Sequence, residues 1–263
     1  MLRKIVIYVS MAACAALLCL YFTAASSLAG KNRDETVCTS VNVKILDSNE
    51  NRFVSAREAM DIIEAAGLNP IGLPLAQIDI GAIERVLDHG SAIRKSDVSL
   101  RGDGRMEITV TQRKPVLRIE GEDGGFYVDG SCYIFPLSAS FTSYVPVISG
   151  DIPLEIPGNF RGRISEDKDA GWLESAVRLG MYIESHPFWK AQVQQIDIGE
   201  NREATIYMRV GDQKIKFGTF DGIEGKFAKL KAFYRKIVPA YGWEEYSVID
   251  LRFSDQIICK KRQ

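Results

Sequence analysis

The residue types that most often carry chemistry are sparse and badly spaced for it. His89 and His186 are the only histidines, and neither has a carboxylate or cysteine at the spacing of a zinc motif such as HExxH. Each stands where a helix is expected to end, a place for a cap or a surface group. There is no GxSxG elbow, no Walker loop and no GxGxxG fingerprint, and Gly102-Asp103-Gly104 and the glycines of 121–125 read as turns. Cys14 and Cys19 lie in an apolar run, whereas Cys38, Cys132 and Cys259 are scattered singly with no CxxC pair, so all read as apolar residues rather than redox or metal groups. The 34 Asp and Glu residues are numerous enough to place two carboxylates together in space, the apparatus of glycoside cleavage, but no motif accompanies such a pair. No catalytic residue, cofactor or metal ligand is therefore assigned.

With 33 Lys and Arg against those acids, the net charge is -1, which supplies no general field for gripping nucleic acid. The length of 263 residues and a hydrophobic share of 46% suit a membrane anchor plus one or two folded domains. Residues 5–28 contain no charge, enough at about 1.5 Å per residue to cross a hydrocarbon core of about 30 Å. They are expected to form a transmembrane helix behind a cytoplasmic tail of residues 1–4. Arg3 and Lys4 before the run nearly balance Lys31 and Arg33 after it, so the short leading tail is what favours a type II protein with its body exported. A cleaved signal peptide, with Ser27 and Ala29 as small residues at the cleavage site, is the competing expectation. Either way the body leaves the cytoplasm.

Beyond the anchor, alternating Val41, Val43 and Ile45 predict a strand over 37–45. Ser55 with Glu58 forms a capping box for a helix whose apolar face is Ala56, Ala59, Met60, Ile63 and Ala66, closed by Gly67. Asp79 caps a second helix through Ile80, Ile83, Val86 and Leu87. Strands follow at 93–100 and 106–111, joined by the turn at 101–104. The order is β-α-α-β-β. After Pro115, which marks a sheet edge or a domain boundary, short strands are expected at 116–119, 126–129 and 145–148. A helix over 168–184 stops at His186-Pro187, strands follow at 193–198, 204–210 and 213–217, and a helix over 223–238 stops at Pro239. Two extended pieces, 247–253 and 256–260, end the chain. Lys226, Lys229, Lys231, Arg235 and Lys236 read as the solvated face of the last helix.

Particular residues carry a resemblance. The run Val110-Thr111-Gln112-Arg113-Lys114-Pro115, then Arg118, then Phe126-Tyr127-Val128-Asp129-Gly130, resembles the FtsQ/DivIB cell-division family, as do Phe135-Pro136, Val145-Pro146-Val147-Ile148-Ser149-Gly150 and Ile249-Asp250-Leu251-Arg252-Phe253. Ser131-Cys132 after Gly130, and His89-Gly90-Ser91 before the second strand, depart from the family pattern. The resemblance implies an α+β protein: a transmembrane helix, a POTRA-like β-α-α-β-β domain over 37–114, and a mainly antiparallel β domain with two helices over 115–263. It also implies a divisome scaffold in the inner membrane at the septum, its periplasmic body binding FtsB and FtsL-type partners and helping to regulate septal peptidoglycan synthesis.

A late strand at a sheet edge exposes backbone groups that an extended partner can satisfy. Residues 246–253 are the candidate edge, with Tyr246, Val248, Asp250, Arg252 and Phe253 as partner-binding residues. Tyr246 and Val248 offer apolar contact, and Asp250 and Arg252 set register by charge from the same side. The alternative is that 257–260 folds back on that edge, pairing it within the chain. An exported POTRA-containing assembly or translocation component, and a periplasmic binding protein, remain as other functional classes.

Overall fold

A computed structural model describes residues 13–23, 36–90, 92–121, 124–158, 160–164 and 168–263. Residues 13–23 are helical and exposed, and among the described residues no helix is long and apolar enough to cross a membrane. The rest of the expected 5–28 span, the 1–4 tail, and Ser27 and Ala29 lie outside the described residues. The body divides into two compact units, residues 36–48 with 54–112, and residues 49–53 with 113–263.

In the first unit the order is β1 (Ser40–Ile45), α1 (Ala56–Ala65), α2 (Ile80–Asp88), β2 (Ile93–Leu100) and β3 (Arg105–Gln112). The capping box forms as expected: the Ser55 hydroxyl accepts from the Glu58 amide and the Glu58 carboxylate accepts from the Ser55 amide. Asp79 accepts from the Ala82 amide and starts α2. β3 lies centrally, parallel to β1 and antiparallel to β2. Its Met106, Ile108 and Val110 are fully buried against Ala59 and Ile63 of α1 and Ile83 and Leu87 of α2. Two amphipathic helices thus cover one face of a three-stranded sheet, the arrangement that hides both apolar surfaces.

The second unit contains β4 (Pro115–Gly121), β5 (Gly124–Asp129), β6 (Ile134–Pro136), β7 (Val147–Gly150), α3 (Lys168–Ser185), α4 (Pro187–Gln192), β8 (Val193–Ile198), β9 (Ala204–Met208) and β10 (Lys214–Gly218). It continues through α5 (Ile223–Lys236), α6 (Val238–Tyr241), β11 (Tyr246–Asp250) and β12 (Ile258–Lys261). The strands form one sheet in the order β12-β11-β10-β9-β8-β7-β4-β5-β6. The expectation of a mainly antiparallel sheet holds: β4 with β5, β5 with β6, β8 with β9, β9 with β10 and β11 with β12 are antiparallel, while β4 with β7, β7 with β8, and β10 with β11 are parallel. The chain between β7 and β8 carries α3 and α4, and that between β10 and β11 carries α5 and α6, and such crossovers return the chain in the same direction.

Among the described residues the expected pair of helices is four. Pro187 and Pro239 end one helix but open the next, because a first-turn position needs no backbone donor. Pro115 is the first residue of β4, just past the boundary between the two units, and β7 pairs β4 only at Arg118 and Ile119, so no donor is required at Pro115 on that side. Leu173, Ala176, Val177 and Ile183 of α3 join Trp189, Phe227, Leu230 and Phe233 over the apolar face of the sheet.

The first hairpin of this unit explains its sequence block. Arg113 Nη1 donates to Asp129 Oδ2 at 2.9 Å, with both side chains buried, and the guanidinium lies 3.3 Å from the centre of the Tyr133 ring. The other Asp129 oxygen accepts from the amides of Ser131 and Tyr133. One carboxylate therefore closes the turn and compensates a buried cation.

Candidate functional site at the C-terminal sheet edge

The C-terminal strand pair begins at Glu245, whose carbonyl accepts from the Arg262 amide at 2.9 Å and whose carboxylate pairs with Lys261 at 2.6 Å. From there β11 runs parallel to β10, with Ile215 opposite Ile249, and antiparallel to β12, with Ile249 opposite Cys259 and Asp250 opposite Ile258. β11 is thus paired on both sides, and the expectation that residues 246–253 form the open edge is corrected. The fold-back alternative describes the chain. Periodicity could not separate the two because an edge strand and its inner neighbour share the same alternation. The exposed ladder belongs to β12.

Inward pairing at Arg262 sets the phase of β12. Alternation turns the backbone groups of Lys260 and Ile258 toward β11 and those of Cys259 and the Lys261 amide toward the open side, while the Lys261 carbonyl accepts from the Ser247 hydroxyl of β11 at 3.4 Å. Side chains alternate as well. Cys259 is half-buried against the core, where burial pushes its thiol pKa up, while Ile258 is exposed.

A bulge redistributes the candidate side chains. The register slips between Tyr246 and Val248, placing an extra residue in β11. Tyr246 consequently packs toward the core, its ring 5.7 Å from Phe233, and does not share a face with Val248 and Asp250. Val248 remains half-buried opposite Lys260. Arg252 and Phe253 lie past the end of β11, both exposed.

Arg252 is held in place nonetheless. Its Nε and Nη2 donate to Asp250 at 3.0 and 2.7 Å, and Nη1 donates to Glu203 Oε2 at 2.9 Å. The side-chain hydrogen bond from Arg252 holds the Asp250 carboxyl below the usual carboxylate range, and the same contact raises the guanidinium pKa. Lys229 of α5 donates to the carbonyl of Leu251 at 3.0 Å and to that of Phe253, tying down the segment that follows β11.

Glu203, Lys229 and Glu245 are positioning residues that sequence patterning missed. Lys229 sits among the lysines read as a solvated face, and nothing in its spacing separates it from them. Glu203 meets Arg252 across 49 positions, which only the pairing of β9, β10 and β11 brings together. His186 accompanies Tyr182 at a helix junction, His89 follows α2, and among the described residues no cluster of His, Cys, Asp or Glu is suited to a metal ion.

A family model described as FtsQ/DivIB, C-terminal related, matches residues 114–260, and another described as a POTRA-like domain matches residues 36–111. No curated protein matches the chain.

Proposed function

This chain belongs to the FtsQ/DivIB family of cell-division proteins, and from that membership we propose that it is a non-catalytic divisome scaffold whose last strand accepts a strand from FtsB. The observation that carries the proposal is the outer side of β12, which no strand among the described residues pairs. An incoming segment would hydrogen-bond to the outward groups of Cys259 and to the outward Lys261 amide and gain most of its affinity from the main chain.

Side chains around that ladder would supply selectivity. Ile258 presents an exposed apolar surface, and Lys260 beside it on the same face favours an acidic partner residue. Val248 and Phe253 flank this surface, Asp250 fixes the Arg252 guanidinium, and Tyr246 anchors the start of β11 from the core. In this proposal FtsL joins FtsB, and the assembly helps regulate septal peptidoglycan synthesis. Residues 5–28 anchor the body as a single type II span in the inner membrane, with the whole body, residues 37–114 and 115–263, in the periplasm at the septum.

Lys261→Pro provides the test. It deletes an outward donor without requiring the inner β11–β12 pairing to change. Affinity for the FtsB extracytoplasmic segment should fall by about 1–3 kcal/mol, whereas Lys261→Ala binds as the parent does and both variants keep the parental melting temperature. Parental affinity in the proline variant removes the β12 edge as the site.

A further inference from the structure

A second surface, to which β12 contributes no residue, lies at the C-terminal end of α5. Phe188, Val210, Tyr234 and Trp243 line a solvent-facing cavity of about 310 Å³, together with Lys231 and Arg235. Phe188, Val210 and Trp243 are 50%, 46% and 41% exposed, which sets them apart from the core and leaves an apolar, largely aromatic wall facing water. Tyr234 forms its floor, with ring centroids 5.4 Å from Trp243 and 6.5 Å from Phe188. The Tyr234 hydroxyl is buried without a hydrogen-bond partner.

The wall is built rather than loose. Gln213 Nε2 donates to the Trp243 carbonyl. Gly211 has φ +91°, and a Cβ there would fall 2.2 Å from Gln213 Oε1 and 3.2 Å from Trp243 Cε3, so the turn after β9 admits only glycine beside the indole.

Charge identifies the occupant. Nearby Lys261 and Arg262 are each matched to acids, Glu245 for the first and Asp212 and Glu244 for the second. Lys231 and Arg235, one helical turn apart at the cavity, have no carboxylate partner among the described residues. We infer that this cavity docks a second partner polypeptide through one aromatic or branched aliphatic side chain with carboxylates within a residue or two of it. The apolar side chain fills the aromatic wall, and the acids pair with Lys231 and Arg235. The volume is at the lower bound of small-molecule pockets, about 300–1,000 Å³, and suits a single anchoring side chain.

The test is a selection of random dodecapeptides displayed on phage against the full chain, counter-selected on a Lys231→Glu/Arg235→Glu variant. Enriched peptides should share an aromatic or leucine flanked by Asp or Glu. A synthetic copy should lose about tenfold or more in affinity for the charge-reversed variant while binding Lys261→Pro as tightly as the parent. Absence of enrichment, equal affinity for the charge-reversed variant, or loss in Lys261→Pro would each overturn the inference. Charge-dependent flotation with phosphatidylglycerol vesicles in place of peptide enrichment would assign the surface to lipid and overturn it too.

Discussion

Gly218 and Arg252 occupy one space: a Cβ on Gly218 would lie 2.8 Å from Arg252 Cγ and 3.2 Å from its Cδ. Gly218 also has φ +76°, a conformation that costs other residues about 1–2 kcal/mol. Gly218→Ala should therefore lower the unfolding free energy by about 1–2 kcal/mol in a urea titration. It should also displace Arg252 from Asp250 and Glu203, visible as a loss of affinity for FtsB beyond that of a remote variant of equal stability.

Asp250 gives the C-terminal strands an acid limit. Its folded pKa is depressed by Arg252, so its stabilising effect is fully present above the unfolded carboxylate value of about 4 and is lost as pH falls through the folded value. Melting temperatures recorded from about pH 6 to about pH 2 should show this loss for the parent. Asp250→Asn should be less stable at neutral pH and lose less on acidification, so that the two curves converge at the acid end.

Removing Arg113 should leave the Asp129 carboxylate buried without its cation. Arg113→Ala is expected to destabilise the second unit by about 3–5 kcal/mol, measured by chemical denaturation, and to take away the cation held against the Tyr133 ring.

Tyr246→Ala should act through stability before it acts through binding. The side chain packs against Phe233, so truncation should cost about 1–2 kcal/mol of buried apolar surface, seen as a lower melting temperature. At a temperature where the variant is fully folded, FtsB affinity should fall less than in Lys261→Pro.

Much of the local structure was legible in the residues. Ser55 with Glu58, Asp79 before α2, and the apolar faces of α2 and α3 each express interactions spanning a few positions and form where expected, whereas on α1 Ala59, Met60 and Ile63 pack inward and Ala56 and Ala66, at its ends, are exposed. The Arg113 to Asp129 block was recognisable as a family resemblance, and its reason is the buried ion pair that closes the turn. The site was less legible. Tyr246, Val248, Asp250 and Arg252 alternate as a strand should, but one inserted residue at the bulge turned Tyr246 to the opposite face, and no local pattern announces such a slip.

By itself the chain's order of residues determined where α1, α2, α3 and α5 start and which of their faces are apolar, because those choices are settled by contacts within a few residues. Only the tertiary structure decided that β12 rather than β11 borders solvent, that Glu203 and Lys229 hold the segment around Arg252, and that an aromatic cavity opens beside Lys231 and Arg235. Edge position is a property of non-local hydrogen bonding: the open ladder is whichever strand the rest of the sheet leaves unpaired.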